Sequence, residues 1–333
     1  MLLDHESFSS AVSQHLSVPS GMDPPEHTAY RRIIEPYFNP ERMNAFEPAC
    51  RQIAAELVQG ATASSEVELM ADFALPFAVR VQCAFLGWPP ALHAPLVRWT
   101  QKSAAATLAQ DRQAMSEIAR EFEGMIDDML ETRLQAGAKP EDDITSALMH
   151  EKVWGRPLSN EEIASILRNW TVGEIGTISA AVGIVVHYLA QDPALQKQLR
   201  AQRSLLPAAI DEILRIHGPL VANRRVATRP VTIGGRAIAA GDRISINWIS
   251  GNRDAAVFDD PDRFRLDRDP AANLLYGAGI HVCPGAPLAR MELRVVIDEL
   301  LTGSTEILPA AGRSPVNAVY PASGFSTLPL AIR

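Results

Sequence analysis

The stretch Tyr276-Gly-Ala-Gly-Ile-His-Val-Cys283-Pro-Gly285, followed by Ala-Pro-Leu-Ala-Arg290, decides which fold this chain is expected to adopt. Three glycines surround one histidine and one cysteine, and glycine permits backbone conformations and close approaches that other residues do not allow. Cys283 also comes just before a predicted helix, whose N-terminal N–H groups and dipole favour a thiolate over a thiol. The segment therefore predicts a cysteine thiolate that is available as a metal ligand.

Several chemistries fit such a loop when it is taken alone. A thiolate held in this way is a good ligand for haem iron, and its electron donation assists cleavage of the O–O bond. Glycine-rich loops before helices also bind phosphate, and a lone buried cysteine is often only a small apolar residue. His281 and Cys283 could be two ligands of a zinc site, although no further cysteine or histidine lies nearby in the sequence. Cys283-Pro284 also resembles the short Cys-Pro element of haem-sensing proteins.

The composition is that of a globular protein. The 333 residues are 47% apolar and 21% charged, with a net charge of −8 and no run of lysine and arginine, which argues against nucleic acid as a partner. Three widely spaced cysteines give no disulfide framework and indicate a reducing compartment. We find neither a signal-peptide pattern nor about twenty consecutive apolar residues, and so expect a cytoplasmic protein without a membrane span.

Helices dominate the predicted secondary structure. Helical spacing covers residues 40–60, 66–86, 112–135, 207–217 and 287–301. Ser159 and Glu162 form the capping-box pattern before a helix over residues 160–190, whose apolar middle predicts a buried position. Residues 231–233, 238 and 243–247 read as strands with a Gly-Gly turn, and residues 252–273 as a long loop. The fold class is mainly α with a small sheet.

The cysteine segment resembles the signature of the cytochrome P-450 superfamily, Phe-Gly-x-Gly-x-His-x-Cys-x-Gly followed by Leu-Ala-Arg. The chain differs at Tyr276, where phenylalanine is usual. The resemblance implies that residues 1–333 form a single haem-thiolate domain. It implies haem b as cofactor and Cys283 as the axial ligand of its iron.

Other segments carry the same resemblance along the chain. His27 and Arg31 resemble family residues that contact the haem propionates, as do Arg225 and His281. Together these four supply two permanent cations and two further donors for the two propionates. Glu212-Ile-Leu-Arg215 matches the family's Glu-x-x-Arg motif, which implies a buried structural network with an arginine of the long loop, Arg263 or Arg265.

The central helix departs from the family pattern. An acid–alcohol pair usually relays protons there, but a gapless alignment places Ile175 and Gly176 at those positions. Glu174 and Thr177 lie one place to either side. A local helix bulge could turn both toward the iron and make them the catalytic pair. Alternatively, water or substrate supplies the protons, and the Thr177 hydroxyl bonds its own helix.

The family's first helix and first strands have no counterpart in the sequence. Phe8-Ser9-Ser10 resembles the end of the second helix, so we expect an N-terminally shortened fold in which the strand over residues 243–247 forms a bare edge. The expected activity is insertion of one oxygen atom from O₂ into a small to medium apolar organic molecule. A separate ferredoxin or flavodoxin with its reductase would bring electrons from NAD(P)H. The alternatives are a peroxide-using peroxygenase of the same fold and a non-catalytic haem-binding or haem-sensing protein.

Overall fold

The structure is a computed structural model that describes residues 1–13, 15–64, 66–320 and 322–333. Helices make up most of it, as predicted. In chain order they are α1 (Glu26–Ile34), α2 (Pro40–Thr62), α3 (Leu75–Leu86), α4 (His93–Ala109), α5 (Arg112–Ala136), α6 (Ile144–His150), α7 (Asn160–Gln191), α8 (Pro193–Ala201), α9 (Leu206–His217), α10 (Trp248–Gly251) and α11 (Ala286–Gly303).

The long helix α7 forms the centre of the fold. Its capping box is present, because the Ser159 hydroxyl accepts from the N–H of Glu162 and the Glu162 carboxylate accepts from the N–H of Ser159. By length and composition α7 is apolar enough to cross a membrane. It is instead packed against α3, α5, α9 and α11, so its apolar composition is that of a core helix.

The strands are short and form small sheets. They are β1 (Phe8–Ser9), β2 (Val67–Glu68), β3 (Lys152–Val153), β4 (Arg156–Pro157), β5 (Ala222–Ala227), β6 (Val231–Ile233), β7 (Arg236–Ile238), β8 (Arg243–Asn247), β9 (Ile307–Pro309), β10 (Val316–Asn317), β11 (Phe325–Thr327) and β12 (Pro329–Ile332). The Gly-Gly turn joins β6 to β7 as predicted. In the described part of the chain β8 pairs only with β5, so it is the expected edge strand.

Two predicted segments fold differently from expectation. Phe8-Ser9-Ser10 is not a helix end: Phe8 and Ser9 form β1, which pairs antiparallel with β5, and the Ser9 hydroxyl donates to Asp23 at 2.5 Å. Pairing with a distant strand overrides the local preference of these few residues. The helix expected from residue 66 begins later, because β2 pairs with β12 and is followed by a π-helical turn over Met70–Ala74. It ends as predicted, at Gly87 in the left-handed conformation (φ 73°).

The C-terminal half brings the cysteine segment into the centre of the protein. Residues 252–273 form the predicted long loop, with a single 3₁₀ turn at Pro270–Ala272 in its described structure. Helix α11 follows the cysteine segment and packs on α2, α7 and α9. The segment that precedes α11 lines the same cavity as residues from the middle of α7.

Candidate haem site

The cysteine segment is a tight loop closed by backbone hydrogen bonds. The N–H of Cys283 donates to the carbonyl of Tyr276 at 2.9 Å, and Gly277 and Gly279 have φ of 75° and 74°. These two positions require glycine, because L side chains rarely adopt positive φ. Gly285 has φ −80° and needs no such freedom as the residue that precedes α11.

The Cys283 side chain is exposed to the cavity that it lines. The N–H groups of Gly285 and Ala286 point at its sulfur, as the sequence predicts. Burial nevertheless raises the pKa of the thiol and outweighs the effect of these N–H groups. The helix N-terminus alone therefore does not create the expected thiolate; a bound cation would have to do so, as metals deprotonate the thiols that coordinate them.

His27 and His281 meet at the same cavity. Their ring centroids are 4.3 Å apart, and three of their four ring nitrogens are buried without a hydrogen-bond partner in the described structure. The pKa of His281 is lowered to about 4, mainly by burial and to a lesser extent by the charges of the nearby His27 and Arg225. Both rings are therefore neutral near pH 7, and each can donate one hydrogen bond into the cavity.

The two predicted cations differ in how far they are already paired. Arg31 forms an ion pair with Glu35 at 3.0 Å, and its Nη1 donates to the carbonyl of Val282 at 2.8 Å. Arg225 lies on β5, is 8% exposed, and donates only to the carbonyl of Arg224 among the described residues. A buried guanidinium without a carboxylate is costly, so Arg225 requires an anion.

The cavity between these groups and α7 has a volume of about 350 Å³. Much of its wall is apolar and aromatic. The lining includes His27, Arg31, Phe38, Phe85, Trp170, Gly173, Glu174, Thr177, Ile178, Ala181, Leu214, Arg225, Trp248, Tyr276, His281, Cys283, Leu288 and Leu293. The cavity thus combines the Cys283 thiol, two arginines, two imidazoles and apolar surface.

Glu174 and Thr177 line this cavity without any bulge in α7. The helix is α-helical from Asn160 to Gln191, so the hypothesis that a bulge turns these side chains inward is wrong. They share the cavity face with Ile178 and Ala181 because residues three and four apart lie on one side of a helix. Thr177 makes no bond to its own helix in the described structure, whereas the Thr171 hydroxyl does donate to the carbonyl of Leu167 at 2.7 Å.

Glu212 and Arg215 lie outside the cavity, in a buried network that holds the long loop. Two nitrogens of Arg215 donate to the Glu212 carboxylate at 2.7 and 2.9 Å, and its Nη1 donates to the carbonyl of Asn252. The arginine of the loop is Arg268, whose Nε donates to Glu212 at 2.8 Å, and not the side chain of Arg263 or Arg265. Arg265 contributes only its backbone N–H, at 3.1 Å.

Comparisons with known proteins agree with this arrangement. Residues 84–303 match the sequence model of the family Cytochrome P450. Cyclomarin C epoxidase of Salinispora arenicola is 33% identical over 283 residues, which cover 84% of this chain and 72% of that relative. Linalool 8-monooxygenase of Pseudomonas putida is 32% identical over 284 residues, 84% of this chain and 69% of the relative. The crystal structure of CYP109E1 from Bacillus megaterium with corticosterone is similar at a TM-score of 0.88 and 28% identity, covering 99% of this chain and 88% of that chain.

The chain belongs to the cytochrome P450 family. It has the P450 fold, and it is a haem-dependent monooxygenase that uses haem b and electrons derived from NAD(P)H. P450 enzymes generally receive these electrons from redox partners and act on small organic molecules. Among the described residues no group of three or more histidine, cysteine, aspartate or glutamate side chains could hold a metal ion, so the zinc alternative finds no support.

The P450 cofactor fits the residues that surround the cavity. Haem is a flat apolar ring with two carboxylates, and the cavity offers one thiol, apolar walls, an unpaired Arg225 and unpartnered nitrogens on His27 and His281. Two anionic groups would satisfy this buried cation and these donors, which are otherwise unsatisfied. When bound, haem supplies the oxygen-activating iron chemistry of the family.

Sequence reasoning missed several polar groups of the P450 site. The Trp170 and Trp248 indole N–H groups are buried near the cavity without a hydrogen-bond partner in the described structure. The Tyr276 hydroxyl, at the position where the sequence departs from the family's phenylalanine, also lacks a partner there. Arg290 lies 4.4 Å above the ring of Tyr276, a cation–π contact. Glu292 on α11 was missed as well. It is fully buried within α11, the helix that follows Cys283.

Proposed function

We propose that Cys283 would hold haem b by ligating its iron through the thiolate, and that residues 1–333 act as a single haem-thiolate monooxygenase domain. The observation that carries this proposal is that the Cys283 thiol lines the same cavity as residues from the middle of α7. Further support comes from the two N–H groups aimed at its sulfur. They would stabilise the thiolate once iron replaces its proton.

His27, Arg31, Arg225 and His281 are proposed to bind the haem propionates. They come from α1, β5 and the cysteine loop, so three separate segments converge on one end of the cavity. Arg225 contributes the strongest interaction, because it lacks the carboxylate partner that Arg31 has in Glu35. Glu212 and Arg215 are proposed to be structural, since they fix the loop that delivers Cys283.

The substrate is proposed to be a small to medium apolar organic molecule that binds against the apolar wall of the cavity. Ile178 and Ala181 on α7, with Phe85 and Leu214, provide surface that favours apolar ligands. The names of two relatives, a cyclomarin C epoxidase and a linalool 8-monooxygenase, support a role in the oxidation of small organic molecules. We propose a cytoplasmic location, with a separate ferredoxin or flavodoxin and its reductase as the electron source.

Glu174 and Thr177 are proposed to be the catalytic proton-transfer residues. Both reach the cavity from an undistorted helix, and the Thr177 hydroxyl is not engaged by its own backbone within the described structure. A group that transfers protons must lie within hydrogen-bond reach of the reacting oxygen, directly or through one water. They would hold and move protons at the carboxyl and hydroxyl oxygens that line the cavity.

A peroxygenase of the same fold is the second candidate function. It is favoured by one observation: the positions of the usual acid–alcohol pair carry Ile175, which is buried, and Gly176. An enzyme that takes its oxygen atom from hydrogen peroxide has less need of that relay.

Turnover experiments separate these functions. The purified protein should oxidise a panel of small apolar molecules when NAD(P)H, ferredoxin or flavodoxin, and a reductase are supplied under O₂. Incorporation of ¹⁸O from labelled O₂ into the product would support the monooxygenase. Product formed only with hydrogen peroxide would assign the peroxygenase instead. Haem binding without product under either condition would favour a haem-binding or haem-sensing protein.

A further inference from the structure

Two aromatic side chains and a carboxylate lead from the cavity toward the surface of the protein. Trp170 on α7 lines the cavity, and its ring packs against that of Tyr37, with the ring centroids 5.8 Å apart. Tyr37 lies in the 3₁₀ turn after α1 and is only 2% exposed. Its hydroxyl donates to Oε1 of Glu151 at 2.9 Å, and Glu151 is half-buried at the end of α6. The three side chains thus form a continuous series from the cavity to solvent.

The chemistry of these side chains suits the transfer of single electrons. Among aromatic side chains, indole and phenol give up an electron most readily, and an indole does so without a proton acceptor. Trp170 is held in place by Tyr37 and by Phe38, whose ring centroid lies 5.1 Å away and which also lines the cavity. Trp170 is therefore the oxidisable group at the cavity, with Tyr37 directly behind it.

Tyr37 also has a proton acceptor, which a phenol needs because its oxidised form is a strong acid. Within the described structure Glu151 forms no ion pair, so its carboxylate is free to take the phenol proton. Burial, followed by the charge of Glu151, raises the pKa of Tyr37, so the phenol keeps its proton until it loses an electron. The Arg42 guanidinium lies 4.9 Å from the Tyr37 ring centroid and disfavours a positive charge on that ring. It therefore favours departure of the proton together with the electron.

Two other buried tyrosines lack such an acceptor. Tyr276 lines the cavity as well, but its hydroxyl has no hydrogen-bond partner among the described residues. Tyr30 donates to the carboxylate of Glu162, which is already paired with Arg156 at 2.7 and 2.8 Å. This ion pair lowers the pKa of Glu162 to about 2 and makes it a poor proton acceptor. Of these three tyrosines, only Tyr37 combines a neighbour at the cavity with an unneutralised carboxylate.

We propose that Trp170 and Tyr37 form an electron-transfer relay that protects the site when the haem is oxidised and no substrate is present to react. Trp170 gives one electron to the oxidised haem and takes one electron from Tyr37. As Tyr37 is oxidised, its phenol proton moves along the hydrogen bond to Glu151, which leaves a neutral tyrosyl radical and a protonated carboxyl group. A reductant in solution, such as ascorbate, returns one electron to Tyr37, and Glu151 returns the proton. This inference rests on the proposed haem site.

Electron paramagnetic resonance of the haem-loaded enzyme tests the relay without turnover. The substrate-free protein is mixed with hydrogen peroxide and frozen, and the parent should give the signal of a tyrosyl radical. Tyr37→Phe should remove this signal, and Trp170→Phe should weaken it because the electron then has to cross a side chain that is harder to oxidise. Tyr30→Phe is the matched control and should retain the signal, because Tyr30 packs on the exposed Trp154 and does not reach the cavity.

Variants of Glu151 test the role of the proton acceptor. Glu151→Gln keeps an oxygen that accepts the Tyr37 hydrogen bond but cannot take up the proton, so the tyrosyl signal should be lost or much weaker. Glu151→Asp keeps a carboxylate and should restore part of the signal. The protective role has its own readout, the loss of haem absorbance during incubation with peroxide. This bleaching should be faster in Tyr37→Phe and Trp170→Phe than in the parent, and unchanged in Tyr30→Phe.

The possible outcomes separate the relay from the haem ligand. A parent protein without a tyrosyl signal, a signal that survives Tyr37→Phe, or a full signal in Glu151→Gln would overturn the inference. If Tyr37→Phe does not fold, Trp170→Phe carries the same comparison. The carbon monoxide spectrum of the reduced parent tests ligation by Cys283 independently. A spectrum without the thiolate signature would refute that ligation, whereas the tyrosyl signal requires only haem in the cavity and peroxide.

Discussion

Replacement of Arg225 by methionine should have opposite effects on the haem-free and the haem-loaded protein. Arg225 is buried on β5 and has no carboxylate partner among the described residues, and burial lowers its pKa. Without haem, its charge opposes folding, and a methionine of similar length removes this cost. With haem, the same charge is expected to pair with a propionate, and the methionine loses that interaction.

The magnitudes follow from the burial of the guanidinium. Replacing buried ionic groups by apolar side chains of similar volume is often neutral or stabilising by about 1–4 kcal/mol, which sets the expected gain in unfolding free energy of the haem-free protein. A hydrogen bond to a charged group contributes about 1.5–3 kcal/mol. Since about 1.4 kcal/mol corresponds to a factor of ten, haem should dissociate roughly 10- to 150-fold faster from the Arg225→Met variant.

Two assays measure these effects: chemical denaturation of the haem-free protein, and haem transfer to an excess of a haem-scavenging apoprotein. Arg224→Met is the matched control, because Arg224 is the neighbouring residue of β5 and is exposed. It should change neither quantity by much. If Arg225→Met destabilised the haem-free protein and left the haem transfer rate unchanged, the role assigned to Arg225 would be refuted.

Three further predictions concern the network, the helix and pH. Glu212→Gln removes the negative charge that pairs with both Arg215 and Arg268, so the unfolding free energy measured by chemical denaturation should fall by about 3–5 kcal/mol. The control Asp267→Asn, at an exposed ion pair, should change it by less than about 0.5 kcal/mol. Thr177→Ala should uncouple the enzyme, so that peroxide replaces product as NAD(P)H is consumed; equal product per NAD(P)H would exclude this role for Thr177. Unfolding free energy should decrease as pH rises above 4.5, because burial raises the folded-state pKa of Glu174 and Glu292 and the folded protein then binds more protons than the unfolded chain. Chemical denaturation at several pH values should show that the unfolding free energy of the Glu174→Gln/Glu292→Gln double variant decreases less with rising pH than that of the parent.

The sequence was sufficient for features that depend on local chemistry. The capping box at Ser159, the left-handed glycine at Gly87 and the glycine-framed loop before α11 are each set by residues within a few positions of one another. The continuous apolar character of α7 likewise predicts its burial without knowledge of its neighbours. These features were enough to predict the helical fold class and to identify the segment that carries Cys283.

Features that depend on distant partners could not be predicted in this way. Phe8 joins a strand because β5 offers it backbone hydrogen bonds from more than two hundred residues away. Arg268, and not Arg263 or Arg265, reaches Glu212 because an irregular loop has no periodicity from which to predict the direction of a side chain. The position of Glu292 near Glu174 depends on the packing of α11 against α7, which the sequence does not specify.

The absorption spectrum of the reduced protein with carbon monoxide tests the central claim most directly. The parent should give the red-shifted band of thiolate-bound haem. Cys283→Ser and Cys283→His should both abolish it, and Cys83→Ser, at a buried cysteine of α3 that does not line the cavity, should retain it. A red-shifted band that persists in Cys283→Ser, or one that requires Cys83, would contradict the assignment of Cys283 as the haem ligand.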